Sequence, residues 1–138
     1  IFRRPVVYTN YAPLCYTQVS SKKQIFIPRY YYNTNLKKRL TAKEIYKISS
    51  CNAHRSEQYE RDNISLIDNT PEEIMKVSLE MHMRTNNIWE DTEKDMNLQK
   101  KFWGSFPVEM MSNNIKLFGE IRGRIGSDFL RENLWWLE

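Results

Sequence analysis

The chain has 138 residues, with 21 Lys and Arg against 17 Asp and Glu, for a formal net charge of +4. That length supports one domain with a real core, and 41% apolar with 28% charged residues is the balance of a globular chain. The mild positive excess does not indicate a nucleic-acid binder, and no run approaches the ~18 apolar residues of a helical membrane span.

The sequence opens at Ile1, on strand-like material and without a secretory signal, as a processed chain or a piece of a longer one would. Arg4 to Asn10 reads as a short buried strand, with Pro5 at the start where its missing N–H does least harm. The apolar character of Pro5 to Thr9 on both faces predicts a central strand of a parallel sheet, lying beside Ile64–Ile67. Asn10 to Pro13 follows as a loop, since Asn favours turns and the residue before proline avoids the helical region. Gln24 to Pro28 is a second strand or an extended loop. The basic, tyrosine-rich stretch from Arg29 to Arg39 reads as a surface loop.

Helical signals come next. Thr41 and Glu44 have capping-box spacing, with Ile45 and Ile48 turned to the core. His54 to Asp62 is polar, a short helix or turn, and Ile64 to Ile67 alternates as a strand does. Thr70, Pro71 and Glu73 are an N-cap, a first-turn proline and a capping-box acid, and Ile74, Val77 and Met81 form an apolar stripe. A further helix starts near Asp91 to Glu93, carries Leu98, Phe102 and Phe106 on one face, and stops at Pro107. A last short helix begins at Ser127. The terminal Leu134–Leu137 cluster is core packing or a docking surface. Strands alternating with helices predict an α/β fold with extra C-terminal helices, one unit spanning residues 1–138.

Chemistry-bearing residues are few. Glycine occurs at 104, 119, 123 and 126 alone, so neither a dinucleotide fingerprint nor a P-loop lies in the first 103 residues; the later three read as turn and close-packing glycines. Cys15 and Cys51 form no C-x-x-C motif and no disulfide framework, which fits reduced thiols in the cytosol. His54 and His82 have no metal-ligand spacing, and His82 reads as a partly buried helix residue. Asn10 and Tyr11 fall just past the first strand, at the sheet edge where α/β proteins bind ligands, although a plain strand-ending turn is the simpler account of them.

The ordered set RPVVYTNYAPL, IFIP, LTAKEI, SEQYERDNISLIDNTPEEI, DMNLQKKFW and RIGSDFLREN covers nearly the whole chain. In that order it resembles the C-terminal part of a family of glycosyltransferases of surface-polysaccharide synthesis with GT-B-like architecture. The resemblance implies a partial Rossmann-like domain, the distal part of a donor-binding half, preceded by an upstream part of the same enzyme. It implies a nucleotide-sugar donor as substrate, no resident cofactor or metal, and no nucleic-acid partner. A lipid-linked acceptor would bring the chain to the inner face of a membrane. By position, Thr9, Asn10 and Tyr11 match the loop beside the donor, and Glu44 matches a carboxylate that holds the donor ribose. Capping competes for Glu44. No catalytic base is identified here, and the fragment alone is expected to be inactive. The alternative is a non-catalytic α/β interaction module that uses the tyrosine-rich loop and the aromatic C-terminus.

Overall fold

The computed structural model describes residues 4–16, 21, 23–110 and 123–138. Its strands are β1 (Val6–Tyr11), β2 (Gln24–Pro28), β3 (Tyr30–Asn33), β4 (Lys38–Arg39), β5 (Ile64–Ile67) and β6 (Arg124–Ile125). They make two sheets, a parallel one in the order β1-β2-β6 and an antiparallel one in the order β4-β3-β5. The fold is therefore mixed α/β. β2 holds the middle of the parallel sheet, with Ile25, Phe26 and Ile27 all at 0% exposure, because an unbroken apolar run suits a strand covered on both faces.

Two sequence expectations are corrected here. Pro5 to Thr9 is neither central nor beside Ile64–Ile67: β1 stands at the end of the parallel sheet and pairs with β2, and β5 pairs antiparallel with β3, Tyr30 opposite Ile67 and Asn33 opposite Ile64. The tyrosine-rich stretch is not a surface loop but the β3–β4 hairpin. At its turn the Asn33 side-chain oxygen accepts from the amides of Asn35 (3.0 Å) and Leu36 (2.8 Å). Consecutive strand residues point to opposite faces, and both faces of β3 are covered. Tyr30 packs on Phe129 and Trp135, Tyr31 faces Tyr59, and both are buried.

The helices are α1 (Ala42–Ile45), α2 (Ser56–Arg61), α3 (Pro71–Thr85), α4 (Glu93–Ser105) and α5 (Ser127–Glu132). Capping boxes start three of them: Thr41 with Glu44, Thr70 with Glu73, and Thr92 with Asp95. α3 lies on β1 and β2 and buries Val77 and Met81, with Ile74 half-buried. Gly126 lets α5 approach closely, since a Cβ there would sit 3.0 Å from Ile27 Cγ2 and 3.2 Å from Val77 Cγ2. Gly119 lies outside the described residues. The closing helical turn Leu134–Leu137 buries Trp136 and Leu137, and the Trp136 ring stacks on Phe102 at 5.6 Å. That pair belongs to the core.

Charged residues fasten the C-terminal strand and helix. Glu80, only 1% exposed, accepts from the Ser127 amide (2.7 Å) and hydroxyl (2.9 Å) and from Arg84 (2.9 Å). Asp91 takes Arg84 and Arg124 together, and Asp95 takes Arg131 through two bonds of 2.6 Å. These partners explain the polar residues of RIGSDFLREN: Arg124, Ser127 and Arg131 are used to hold the fold. His82, expected partly buried, is exposed beside Asn86. Cys15 and Cys51, expected as free thiols, are a disulfide with Cα atoms 5.2 Å apart. Among the described residues no helix is long and apolar enough to cross a membrane.

Candidate functional site

The carboxyl ends of β1 and β2 and the start of α3 meet at one edge. Asn10 ends the regular pairing of β1, at φ 52°, within a shift of register between Tyr8 and Tyr11. Its amide donates to the Asn69 side-chain oxygen at 2.7 Å, and the Asn69 amide donates back to the Asn10 side-chain oxygen at 2.6 Å. Asn69 then donates its side-chain N–H to the Pro28 carbonyl at 2.8 Å, joining the ends of both strands to the N-cap of α3. Tyr11 donates its hydroxyl to the Tyr16 carbonyl at 2.6 Å and packs its ring on Phe26. Thr9, Asn10 and Tyr11, expected in the loop past the first strand, instead belong to β1 itself, because the strand runs on to pair Tyr11 with Pro28, and the Asn10 and Tyr11 side chains are engaged in holding that end of the sheet.

Glu44 is elsewhere. Its carboxylate accepts from the Thr41 amide at 2.9 Å and pairs with Lys38 at 2.5 Å. The Lys38 hydrogen bond, then the Thr41 amide, hold this carboxyl below the usual range. The capping role, weighed against ribose binding in the sequence, is the one its contacts serve.

The residue that sequence reasoning passed over is Arg29. It follows β2 directly, its amide donates to the Tyr11 carbonyl at 3.1 Å, and its Nε lies 2.8 Å from Asp68 Oδ1. The one available signal was position: an arginine immediately past a continuous apolar strand, on the edge where α/β sheets place ligands. Two clefts meet at this side chain. One, of about 290 Å³, runs between Ala12–Pro13 and the stretch Ala53–Ser56; the other, of about 560 Å³, extends past Thr34 and Asn63. Arg29, Ser56, Tyr59 and Leu66 line both.

Local structure holds these walls in place. The Asp62 carboxylate accepts from the Ser50 amide at 2.7 Å and from the Ser49 hydroxyl at 2.9 Å, fixing the helical turn Ser49–Asn52 that leads into His54 and Arg55. Burial pushes the Asp62 carboxyl up, but the Ser50 and Ser49 bonds outweigh it and leave it lowered. Tyr59 donates to the Ala53 carbonyl at 3.1 Å. Burial pushes the Tyr59 and Tyr31 hydroxyls up even with the Arg29 charge drawing them down, so both are neutral rings beside a cation. Arg29 and Arg55 give the smaller cleft a cationic side, with the His54 ring beside them; Glu60 stands in the larger one. Such a set of groups can hold an anion next to an aromatic face. Among the described residues no group of three or more His, Cys, Asp or Glu is placed to hold a metal ion.

No protein-family model matches the chain, and no curated protein and no solved structure matches it.

Proposed function

We propose that the chain is the distal, partly Rossmann-like part of a GT-B glycosyltransferase donor domain, and that the cleft at Arg29 receives the diphosphate of a nucleotide-sugar donor. The observation that carries this reading is the guanidinium at the carboxyl end of the middle parallel strand, opening with Arg55 and Tyr59 onto one cleft. The ordered motifs described above supply the family expectation. In this reading Arg29 stabilises the negative charge that develops on the leaving diphosphate, which is the main protein contribution such a transfer needs. Asp68 pairs with Arg29, and the diphosphate takes its place on the guanidinium. The base that activates the acceptor comes from the upstream part of the enzyme. A lipid-linked acceptor would put the reaction at the cytoplasmic face of a membrane.

The interaction-module reading has less surface to use, because Tyr30, Tyr31, Trp136 and Leu137 are buried, and of those tyrosines and the terminal cluster only Tyr32, Leu134 and Trp135 keep exposure. The deciding experiment is calorimetric titration of the chain with uridine, guanosine and cytidine nucleotides. Saturable binding of one of them, weakened in Arg29→Gln, supports the proposal. Absence of binding by all three at millimolar concentration overturns it.

A further inference from the structure

We propose that the Cys15–Cys51 disulfide is a redox-controlled clamp on the cleft, and that its reduction by a dithiol loosens both cleft walls. As a control on ligand binding it rests on the reading of the cleft as the donor site; as a control on the walls it does not. The bond joins the helical turn Leu14–Tyr16 to the turn Ser49–Asn52, over a sequence separation of 36. Each turn runs straight into one wall. Ala12 and Pro13 precede Cys15 on one side, and Ala53 to Ser56 follow Cys51 on the other.

Each turn also has its own anchor. The Leu14 amide donates to the Tyr31 hydroxyl at 3.1 Å and the Tyr16 carbonyl accepts from Tyr11, while Asp62 and Tyr59 hold the second turn. Between the turns, the Tyr16 and His54 rings meet edge to face at 5.2 Å. Breaking the covalent link therefore frees the walls to move apart and lets both turns open more often, while the rest of the fold keeps its own contacts. The chain has two cysteines in all, so reduction and reoxidation interconvert two states with no third thiol to reshuffle. A dithiol breaks the S–S bond by attack of its thiolate, passes two electrons and two protons to leave two cysteine thiols, and closes to its own disulfide. Cys15 is 4% and Cys51 1% exposed, so the dithiol gains access through local opening of the turns. The clamp answers to sustained reducing conditions and not to brief ones.

The test compares air-oxidised and dithiothreitol-reduced chain, with thiols counted under denaturing conditions, by amide hydrogen exchange and by titration with uridine diphosphate and its guanosine and cytidine counterparts. We expect no free thiol before reduction and two after it. Exchange across residues 12–16 and 50–56 should rise about tenfold on reduction while β2 and β3 stay protected. Nucleotide affinity should fall about tenfold, as the assembled cleft drops to a minor population, and recover with oxidised glutathione. A Cys15→Ala/Cys51→Ala chain should match the reduced state and ignore dithiothreitol; if it fails to fold, the wild-type comparison still decides. Two free thiols before reduction, unchanged exchange in the two segments, exchange rising over the whole chain, or equal affinity in both states would each overturn the clamp. Local exchange rising as expected with no nucleotide bound in either state leaves the clamp on the walls standing and removes the donor-site reading instead.

Discussion

Asn10 and Asn69 hold each other's backbone across 59 positions of sequence, each amide donating to the other's side-chain oxygen at 2.6–2.7 Å. The exchange is reciprocal, and Asn69 adds a third bond to Pro28. It closes the sheet edge beside the cleft before any ligand arrives.

Asn69 is 6% exposed, so removing its side chain leaves the Asn10 amide and the Pro28 carbonyl without these partners. Each buried group left unpaired costs about 1–3 kcal/mol, and Asn69→Ala should destabilise by roughly that amount per group. At position 10 the left-handed backbone adds a second effect. Asn10→Gly should cost about 1 kcal/mol less than Asn10→Ala, because glycine accepts φ 52° without strain. Urea melts of the three variants check this, and equal losses for glycine and alanine at position 10 would contradict it.

Gly126 and Val77 share one small space between α3 and the strand end. Gly126→Ala places a methyl 3.0–3.2 Å from Ile27 and Val77 side-chain carbons and should cost about 1–3 kcal/mol by overpacking. Val77→Ala, which empties a buried side chain, should cost about 2 kcal/mol. Combined, the two should cost less than their sum, since the shortened side chain makes room for the added methyl. Strict additivity in denaturant melts would show that the contact is not shared.

Elements announced by local chemistry were legible in the sequence. The Thr41, Thr70 and Asp91–Glu93 starts, the α3 stripe and the Phe102–Phe106 face all depend on residues a turn or less apart. What stayed illegible depends on distant neighbours. Tyr30 and Tyr31 look like surface residues among arginines and lysines until Phe129, Trp135 and Tyr59 cover the two faces of β3. Ile64–Ile67 carries no mark that selects β3 over β1 as its partner. Nothing adjacent in sequence marks Glu80 for burial, and it is buried because Ser127 and Arg84 reach it. The cysteines lie 36 apart, a spacing with no motif, and tertiary proximity alone pairs them. For the candidate site, the sequence pointed to the end of the first strand through Asn10 and Tyr11. It assigned Arg29 to a loop, because its one signal, a position just past an apolar strand, does not by itself separate an arginine facing a cleft from one facing solvent.

Acid should loosen the C-terminal segment first. Burial pushes the Asp91 carboxyl up, but the Arg84 hydrogen bond and the Arg124 charge prevail and hold it at about 2, below its ordinary 3.8. For Asp95 the Arg131 hydrogen bond leads, and the carboxyl is again well below the usual range. A carboxyl lowered by folding stabilises the fold above its unfolded pKa, and that contribution is lost as pH falls through the folded one. The Asp91 contribution is therefore complete above about pH 4 and fades toward pH 2. Asp91→Asn should be less stable than the parent at neutral pH, with the deficit shrinking over that window. A deficit independent of pH in urea melts would show that the ion pair does not act through ionisation.

Arg29 and Glu44 separate ligand binding from folding. Arg29→Gln removes the cation facing the cleft and, with it, a charge-assisted bond worth about 1.5–3 kcal/mol, so nucleotide affinity should fall roughly 10- to 100-fold. Its stability should hardly change, because the Asp68 partner is 65% exposed and such pairs contribute little. Asp68→Asn should act in the opposite direction and tighten binding, since the ligand no longer competes with an internal carboxylate. Glu44→Ala should cost about 1 kcal/mol through the lost α1 cap and leave affinity unchanged. Calorimetry paired with thermal melts reads both quantities on the same samples. Should Glu44→Ala weaken nucleotide binding while Arg29→Gln does not, the ligand would have to sit beside α1, and the edge at Asn10 would be a structural corner alone.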